Sequence, residues 1–380
     1  MNRVVLEPLA TYERDAVATA VAALLAPLGG MSAFVQPGQT VLLKPNMLAG
    51  KAPEKAVTTH PEILHALIRE VQRAGGEAWV GDSPGIGSCE QVARKCGILA
   101  VVAETGARLA PFTQSRPAPQ PASPDAFQHL ELAREVFDAD LIINLPKLKT
   151  HQMMGLTCAV KNLFGALVGM RKPQLHLQAG SDKARFARML LDLAARLRPA
   201  LTVVDAVVAM EGAGPGSGDP IEVGALLAGT NPLAVDAVAL ELLGLNPEDC
   251  WTQKLARAQN LPGARLSEVE LCGADPIRLR PARFRPAQAT DVSFGVPPVL
   301  HRRLRRSLSA LPAIDKQRCR GCGLCVKHCP PAAMTPDPLM PRIDLNACIG
   351  CFCCQELCPY GAILTRQGLL LRLSRFLLAK

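Results

Sequence analysis

Residues 319–330 read C-R-G-C-G-L-C-V-K-H-C-P, and residues 348–359 read C-I-G-C-F-C-C-Q-E-L-C-P. Both are C-x2-C-x2-C-x3-C-P runs, the ligand spacing of a 4Fe–4S cluster. A cubane needs four thiolates at tetrahedral corners. A tight turn with three closely spaced cysteines supplies three, and the fourth has to come from elsewhere. Structural zinc would use two C-x2-C pairs without the C-x3-C-P arms. Disulfides would need an oxidising compartment, and no secretory leader is expected from the first residues. The runs also repeat one another, continuing as C-P-P-A-A-M and C-P-Y-G-A-I, with short apolar segments from 332 and 361 closing over the clusters.

Over residues 314–364 the sequence resembles the bacterial two-cluster ferredoxins. That resemblance implies two 4Fe–4S clusters whose fourth ligands are exchanged between the runs. One cluster takes Cys319, Cys322, Cys325 and Cys358; the other takes Cys348, Cys351, Cys354 and Cys329. Cys353 is left over as a non-ligand. His328, inside the first run, reads as a residue that tunes solvent exposure rather than one that binds iron.

Some three hundred of the 380 residues remain outside this module, far more than an electron carrier needs. Hydrophobic residues make up 49% and aromatics only 4%, so the core is aliphatic. Nine of the 14 cysteines lie in the C-terminal module; Cys89, Cys96, Cys158, Cys250 and Cys272 are scattered singly and read as small core residues. Thiolate-rich sites lead us to expect a reducing, cytoplasmic setting. No apolar run reaches the roughly 18 residues of a membrane span. The net charge is +9, with basic stretches at 301–306 and 366–380. Such a surface suits an acidic redox partner or anionic lipid. Without stacking aromatics or a recognised motif it does not suit nucleic acid.

Along the chain, strand and helix signals alternate. Strands are expected at 4–6, 40–44, 77–80, 140–145, 201–207 and 225–229, and helices at 15–25, 61–74, 90–95, 181–196 and 232–243. This pattern predicts an α/β fold: a mostly parallel sheet with helices on both faces, followed by a small α+β ferredoxin-like iron–sulfur domain. Residues 113–124 read as an exposed connection or insertion hairpin. The expected division is an α/β domain at 1–295, a basic linker at 296–312, the cluster domain at 313–365 and an amphipathic tail at 366–380. The tail reads either as packing on the large domain or as peripheral membrane contact.

Several polar residues stand just beyond expected strand ends, the edge at which open α/β sheets bind ligands. They are Lys44, Asn46, Asp82, Ser83, Lys147, Lys149, His151 and Glu211, with Lys161 and Asn162 near. Converging lysines favour an anionic ligand. Lys147, Lys149 and His151 are the candidate catalytic group, with His151 as proton donor. Lys44, Asn46, Asp82 and Lys161 are candidate ligand-binding residues; His176 reads as an ordinary histidine, in a segment able to face the same pocket. The glycine-rich segments 81–87 and 212–218 lack the features of a nucleotide loop, although the second could approach a ligand closely. His60, before Pro61, reads as a helix cap.

The motifs K-P-N at 44–46, T-H-P at 59–61, G-D-S-P-G at 81–85, P-K-L-K-T-H at 146–151 and V-K-N-L-F-G at 160–165 resemble, in that order, the domain-of-unknown-function family numbered 362. The resemblance covers roughly residues 1–250 and implies fusion to a C-terminal two-cluster ferredoxin domain. Two functions follow. One is an iron–sulfur oxidoreductase, fed by an external electron carrier, that reduces an anionic small molecule. The other is a non-catalytic electron-transfer or redox-sensing protein. The first requires a cluster close to the pocket.

Overall fold

Burial along three strands sets the layering. Val41 and Leu43 pack into one apolar cluster while Leu42 packs into another; Ile143 and Leu145 divide from Ile142 in the same way. Val203 and Val207 face the first cluster, and Val204 and Ala206 face a third. Successive side chains of a strand point to opposite faces, so a sheet that buries both must carry helices on both. The first face is covered by helices Arg14–Leu25, Pro61–Arg73 and Ile98–Thr105, the second by Lys183–Leu197, Pro232–Leu243 and Trp251–Ala258. The computed structural model describes residues 2–119, 127, 129–169, 171–288, 290 and 307–372. The basic stretch at 301–306 and most of the amphipathic tail, 373–380, lie outside the described residues.

The strands are β1 (Asn2–Pro8), β2 (Thr40–Pro45), β3 (Glu77–Val80), β4 (Arg108–Leu109), β5 (Ser115–Pro117), β6 (Glu131–Ala133), β7 (Leu141–Leu145), β8 (Lys147–His151), β9 (Gly155–Thr157), β10 (Leu201–Glu211), β11 (Asp219–Gly229) and β12 (Val269–Gly273). The central sheet runs β12-β1-β11-β10-β7-β2-β3-β4, with β8 beside β10 and β9 beside β8. It is parallel except where β11 lies antiparallel between β1 and β10 and where β8 meets β9. β5 and β6 form a separate antiparallel hairpin, the insertion around residue 115.

The expected strands and helices are present, and the sequence reading missed others. Helix Pro61–Arg73 begins as its sequence requires: Pro61 is at the first position, and His60 Nδ1 accepts from the Glu62 N–H at 3.3 Å. Its buried Ile63, Leu64, Leu67, Ile68 and Val71 share one face. Helices Ile98–Thr105 and Trp251–Ala258 and strand β12 were not foreseen. The main correction is β8. Residues 146–151 were expected as a polar segment beyond a strand end, yet Lys147–His151 is a fully buried strand parallel to β10. Residues 212–218, the glycine-rich segment, are the turn between β10 and β11.

The C-terminal module is built on β13 (Ala310–Ile314), β14 (Met334–Thr335), β15 (Arg342–Ile343) and β16 (Ile363–Gln367), with short helices Leu324–Lys327 and Cys353–Glu356 inside the two cysteine runs. β13 pairs antiparallel with β16 and β14 with β15. Cys351 and Cys353 join the same apolar cluster as Phe164 and Phe186, which seats the second run on the large domain.

Candidate functional site

Strand β8 alternates K-L-K-T-H, so Lys147, Lys149 and His151 share one side and Leu148 and Thr150 the other. Beyond its end the sheet meets helix Cys353–Glu356, and a cavity of about 420 Å³ lies between them. Asn46, Asp82, Lys149 and His151 line it from the sheet. Lys161, Lys172 and His176 line it from the segments after β9. Cys353, Glu356, Lys327 and His328 line it from the cysteine runs.

The polar framework is a chain of amides. Lys149 Nζ donates to Asn46 Oδ1 at 2.7 Å and to the Val57 carbonyl at 2.9 Å. Asn46 Nδ2 donates to Asn162 Oδ1, and Asn162 Nδ2 to Asn144 Oδ1, each at 2.9 Å. Helix Ala159–Asn162, which carries Lys161 and Asn162, is fixed at its start by Asp236, whose carboxylate accepts from the N–H groups of Ala159 at 2.6 Å and Val160 at 3.2 Å. Lys161 stands over the Phe164 ring, 4.6 Å from its centroid. Lys172 donates to the carbonyls of Ser83 and Pro84.

Burial governs the charges. It pushes Lys149 down to about 7 against the pull of Glu356, and Lys172 down to about 7 against the pull of Asp82. It pushes His176 down to about 3 and lowers His151. Glu356 goes the other way: burial alone would raise it, but His151 and Lys161 hold it down to about 2. His151 Nδ1 accepts from the Met153 and Met154 N–H groups at 3.1 and 3.2 Å. Its proton is thereby assigned to Nε2, which faces Glu356 Oε1 at 3.0 Å. A neutral imidazole beside an ionised carboxylate satisfies both directions. That pair is close but not aligned as a hydrogen bond. His151 Nε2, Glu356 Oε1 and His176 Nδ1 are all buried without an aligned protein partner. His176 Nδ1, beside a His151–Glu356 contact that is not aligned, leaves hydrogen-bonding capacity among the described residues that a polar ligand would use.

Eight of the residues named from the sequence line this cavity: Asn46, Asp82, Ser83, Lys149, His151, Lys161, Asn162 and His176. Two of the expected lysines, Lys44 and Lys147, are not among the residues that line it. Lys147 Nζ lies 2.8 Å from Asp205 Oδ2 and donates to Tyr12 Oη at 2.8 Å. Tyr12 in turn stacks on His60, with ring centroids 3.6 Å apart. Lys44 pairs with Asp82 at 2.8 Å and donates to the Asn162 carbonyl at 2.6 Å. Each is buried and ion-paired, as suits a residue that holds the fold together. The glycine turn also has another role. A Cβ on Gly216 would stand 2.8 Å from the Glu356 carbonyl oxygen, so the turn lets the cysteine module approach. Sequence reasoning missed Lys172 and Glu356. Lys172 follows a segment without periodicity, and Glu356, between two cysteines, looks like a solvated residue.

The cysteines form a second constellation. One small cavity is lined by Cys319, Cys322, Cys325 and Cys358 with apolar Ile314, Leu324 and Ile363. Cys329 packs with Cys348 in one apolar cluster and with Cys354 in another. Cys329 Sγ accepts from the Ala333 N–H and Cys358 Sγ from the Ala362 N–H, both at 3.3 Å and both four residues on. No three His, Cys, Asp or Glu side chains among the described residues close on a point as they would around a single metal ion. Thiols spread around apolar space, with N–H groups directed at sulfur, fit the larger iron–sulfur cluster. Cys353 stands outside these groupings; it lines the ligand cavity, and its side chain meets that of Cys351.

The 4Fe–4S dicluster domain family matches residues 311–359, which makes the C-terminal module an iron–sulfur domain of the electron-transfer type. A thylakoid-associated protein of Synechocystis sp. is 39% identical over 293 residues, covering 76% of this chain and 89% of that protein. Among solved structures, the lactate racemase apoprotein from Thermoanaerobacterium thermosaccharolyticum matches with a TM-score of 0.39 and 13% identity, over 60% of this chain and 54% of that one, too weak a likeness to inform the chemistry. The family described as Domain of unknown function (DUF362) matches residues 41–241, the span that contributes Asn46, Asp82, Lys149, His151 and Lys161 to the cavity. The chain therefore belongs to the DUF362 family, and carries its iron–sulfur domain against the cavity edge of that family's sheet.

Proposed function

We propose that the protein is a ferredoxin-coupled oxidoreductase that adds electrons to a small anion bound between the sheet and the cysteine runs. The observation that carries this reading is the cavity itself. Lys149, Lys161 and Lys172 line it, His176 Nδ1 is buried with no hydrogen-bond partner among the described residues, and Cys353 and Glu356 form part of its wall. Glu356 is two residues from both Cys354 and Cys358, so their Cα atoms are within about 7 Å of its own, the reach of two extended residues.

Two 4Fe–4S clusters, one held by Cys319, Cys322, Cys325 and Cys358 and the other by Cys348, Cys351, Cys354 and Cys329, supply one-electron transfer when bound. Lys149, Lys161 and Lys172 attract and orient the anion. A neutral imidazole holds its remaining proton too tightly to act as an acid near pH 7, so His151 orients the ligand through Nε2–H. Proton delivery falls to Lys149, whose pKa of about 7 suits it. Two electrons, from two molecules of an external reduced carrier each oxidised by one electron, and two protons, one from Lys149 Nζ and one from solvent, add two hydrogens to the ligand; Lys149 regains its proton from solvent. Free thiols suit a reducing, cytoplasmic setting. The thylakoid association in the relative's name extends to this chain as peripheral membrane contact. No helix among the described residues is long and apolar enough to cross a membrane.

The test is EPR of the anaerobically reconstituted, dithionite-reduced protein with a panel of mono- and dicarboxylates and phosphate at millimolar concentration. We expect one class of anion to change the spectrum, and the double variant Lys149→Met with His151→Gln to keep its iron and lose the response. If no anion in the panel perturbs the signal, the oxidoreductase reading falls and the electron-transfer or redox-sensing module remains.

A further inference from the structure

The two cysteine runs differ in their surroundings. Cys348, Cys351 and Cys354 are buried, and the second run is seated on the large domain. In the first run Cys322 is exposed and Cys319 and Cys325 are half-buried. The surface around Cys322 has a distinct composition. Leu339 is 85% exposed and Tyr360 is 49% exposed, an unusual display for large apolar side chains. A Cβ on Gly321 would stand 2.7 Å from the Pro338 carbonyl oxygen, so the loop that carries Leu339 lies against the Cys319–Cys322 turn. Tyr360, Arg320 and Cys322 line one small cavity together.

Lys316, Arg318, Arg320 and Arg342 are all exposed; Arg320 lines the small cavity with Tyr360, and Arg342 lies beside Asp337 in the loop that carries Leu339. The nearby acids are engaged. Asp315 accepts from the Gln317 N–H and lies 3.4 Å from Arg318. Asp337 accepts from the Leu339 and Met340 N–H groups and lies 3.7 Å from Arg342. Four exposed cations therefore stand in these segments against two acids already held by the loops.

We propose that this face, with Leu339 and Tyr360 at its centre and Lys316, Arg318, Arg320 and Arg342 at its rim, docks an acidic one-electron carrier protein over Cys322. An apolar centre in a charged rim is the anatomy of a transient protein interface, and the rim steers a partner of opposite charge. A lipid headgroup would meet the same charges but would have no use for an exposed cysteine of an electron-transfer centre. The inference rests on the electron-carrier part of the functional reading and is independent of what the cavity binds. It also gives the module a direction: electrons enter at the exposed first run and leave at the buried second run.

The test uses the full-length, cluster-loaded protein and a reduced plant-type 2Fe–2S ferredoxin as the acidic probe. Stopped-flow absorbance follows cluster reduction from low to high salt. We expect the second-order rate constant to fall with ionic strength, and to fall by about tenfold or more in the Lys316→Glu/Arg342→Glu variant, as steering predicts. Leu339→Asp should slow the reaction as well. Neither change touches a cysteine, and dithionite reduction and iron content should stay at wild-type levels. A ferredoxin rate and salt dependence unchanged by both variants would overturn the proposal. So would loss of sedimentation with phosphatidylglycerol vesicles in the charge variant at an unaltered ferredoxin rate, which would assign the face to a membrane. The cavity reading is tested without a carrier by anion-dependent EPR, so either can fail alone.

Discussion

Lys149 is fully buried, and its hydrogen-bond partners among the described residues are an amide oxygen and a carbonyl. Burial lowers its pKa to about 7, more than the pull of Glu356 and Asp82 offsets. The cation is present below pH 7 and lost above it. A bound carboxylate favours the charged form, so affinity should weaken by up to about tenfold per pH unit above 7, until the pKa of the complex is reached. Calorimetric titration at pH 6, 7 and 8 with the anion found by EPR checks this, and Lys149→Met should flatten the profile. Lys44 is ion-paired with Asp82 at 2.8 Å. Gly165 is what permits that pair: an added Cβ would overlap the Asp82 carboxylate and stand 2.7 Å from Lys44 Nζ. Gly165→Ala should therefore destabilise the fold by about 3 kcal/mol in urea unfolding, the cost of disturbing a buried ion pair. Cys353 stays a thiol, because the contact with Cys351 and burial both raise its pKa. Cys353→Ala should lower one cluster's midpoint potential and leave the other unchanged, whereas Cys353→Ser should largely restore it; EPR-monitored redox titration reads both. The roles of Lys44 and Lys147 were not legible in the sequence. Their carboxylate partners, Asp82 and Asp205, lie 38 and 58 positions further along, and only the sheet brings them together.

At the scale of elements, what was legible depended on continuity. β2, β7 and β10 are apolar runs bounded by breakers, and burial on both faces leaves them no other reading. β8 was hidden by Pro146, which interrupts the ladder between β7 and β8, and by lysines that read as loop residues. Its alternation was nevertheless in the sequence, since residues 147, 149 and 151 are basic and 148 is Leu. Helix Ala159–Asn162 is only one turn long and gives no periodic signal. It persists because Asp236, from a helix some seventy positions further on, accepts its first two N–H groups. Removing that acceptor leaves two buried donors without partners. Asp236→Ala should cost about 2 kcal/mol of stability and Asp236→Asn less, since the amide retains one acceptor. Because this helix presents Lys161 and Asn162 to the cavity, the Ala variant should also weaken anion binding. A variant that loses stability but binds the anion at wild-type affinity would disconnect the cap from the site.

For the whole molecule, the question is whether the cysteine module and the sheet act as one device. Their contact is specific: Gly216 approaches the Glu356 backbone, a Cβ on Gly85 would stand 3.0 Å from Leu357 Cδ2, and His151 faces Glu356. Nothing in the cysteine spacing indicates on which surface the module rests, because ligand geometry concerns the cluster and not its neighbour. The glycines at 85 and 216 carried that information in a form readable only in three dimensions. Gly216 provides the test. Its φ is unremarkable for an L-residue, so a side chain there strains the contact rather than the backbone. In Gly216→Val a Cβ would stand 2.8 Å from the Glu356 carbonyl oxygen, and the β-branched side chain would add bulk that only displacement of the module relieves. The cysteine ligands lie beyond that contact, so iron content and the reduced EPR spectrum without anion should match wild type. Hydrogen exchange should rise both in the β10–β11 turn and in helix Cys353–Glu356, and the anion response of the spectrum should diminish. If exchange rises at both places while the anion still perturbs the clusters in full, the coupling runs through bonds other than this contact. If neither changes, the module is not held to the sheet at Gly216.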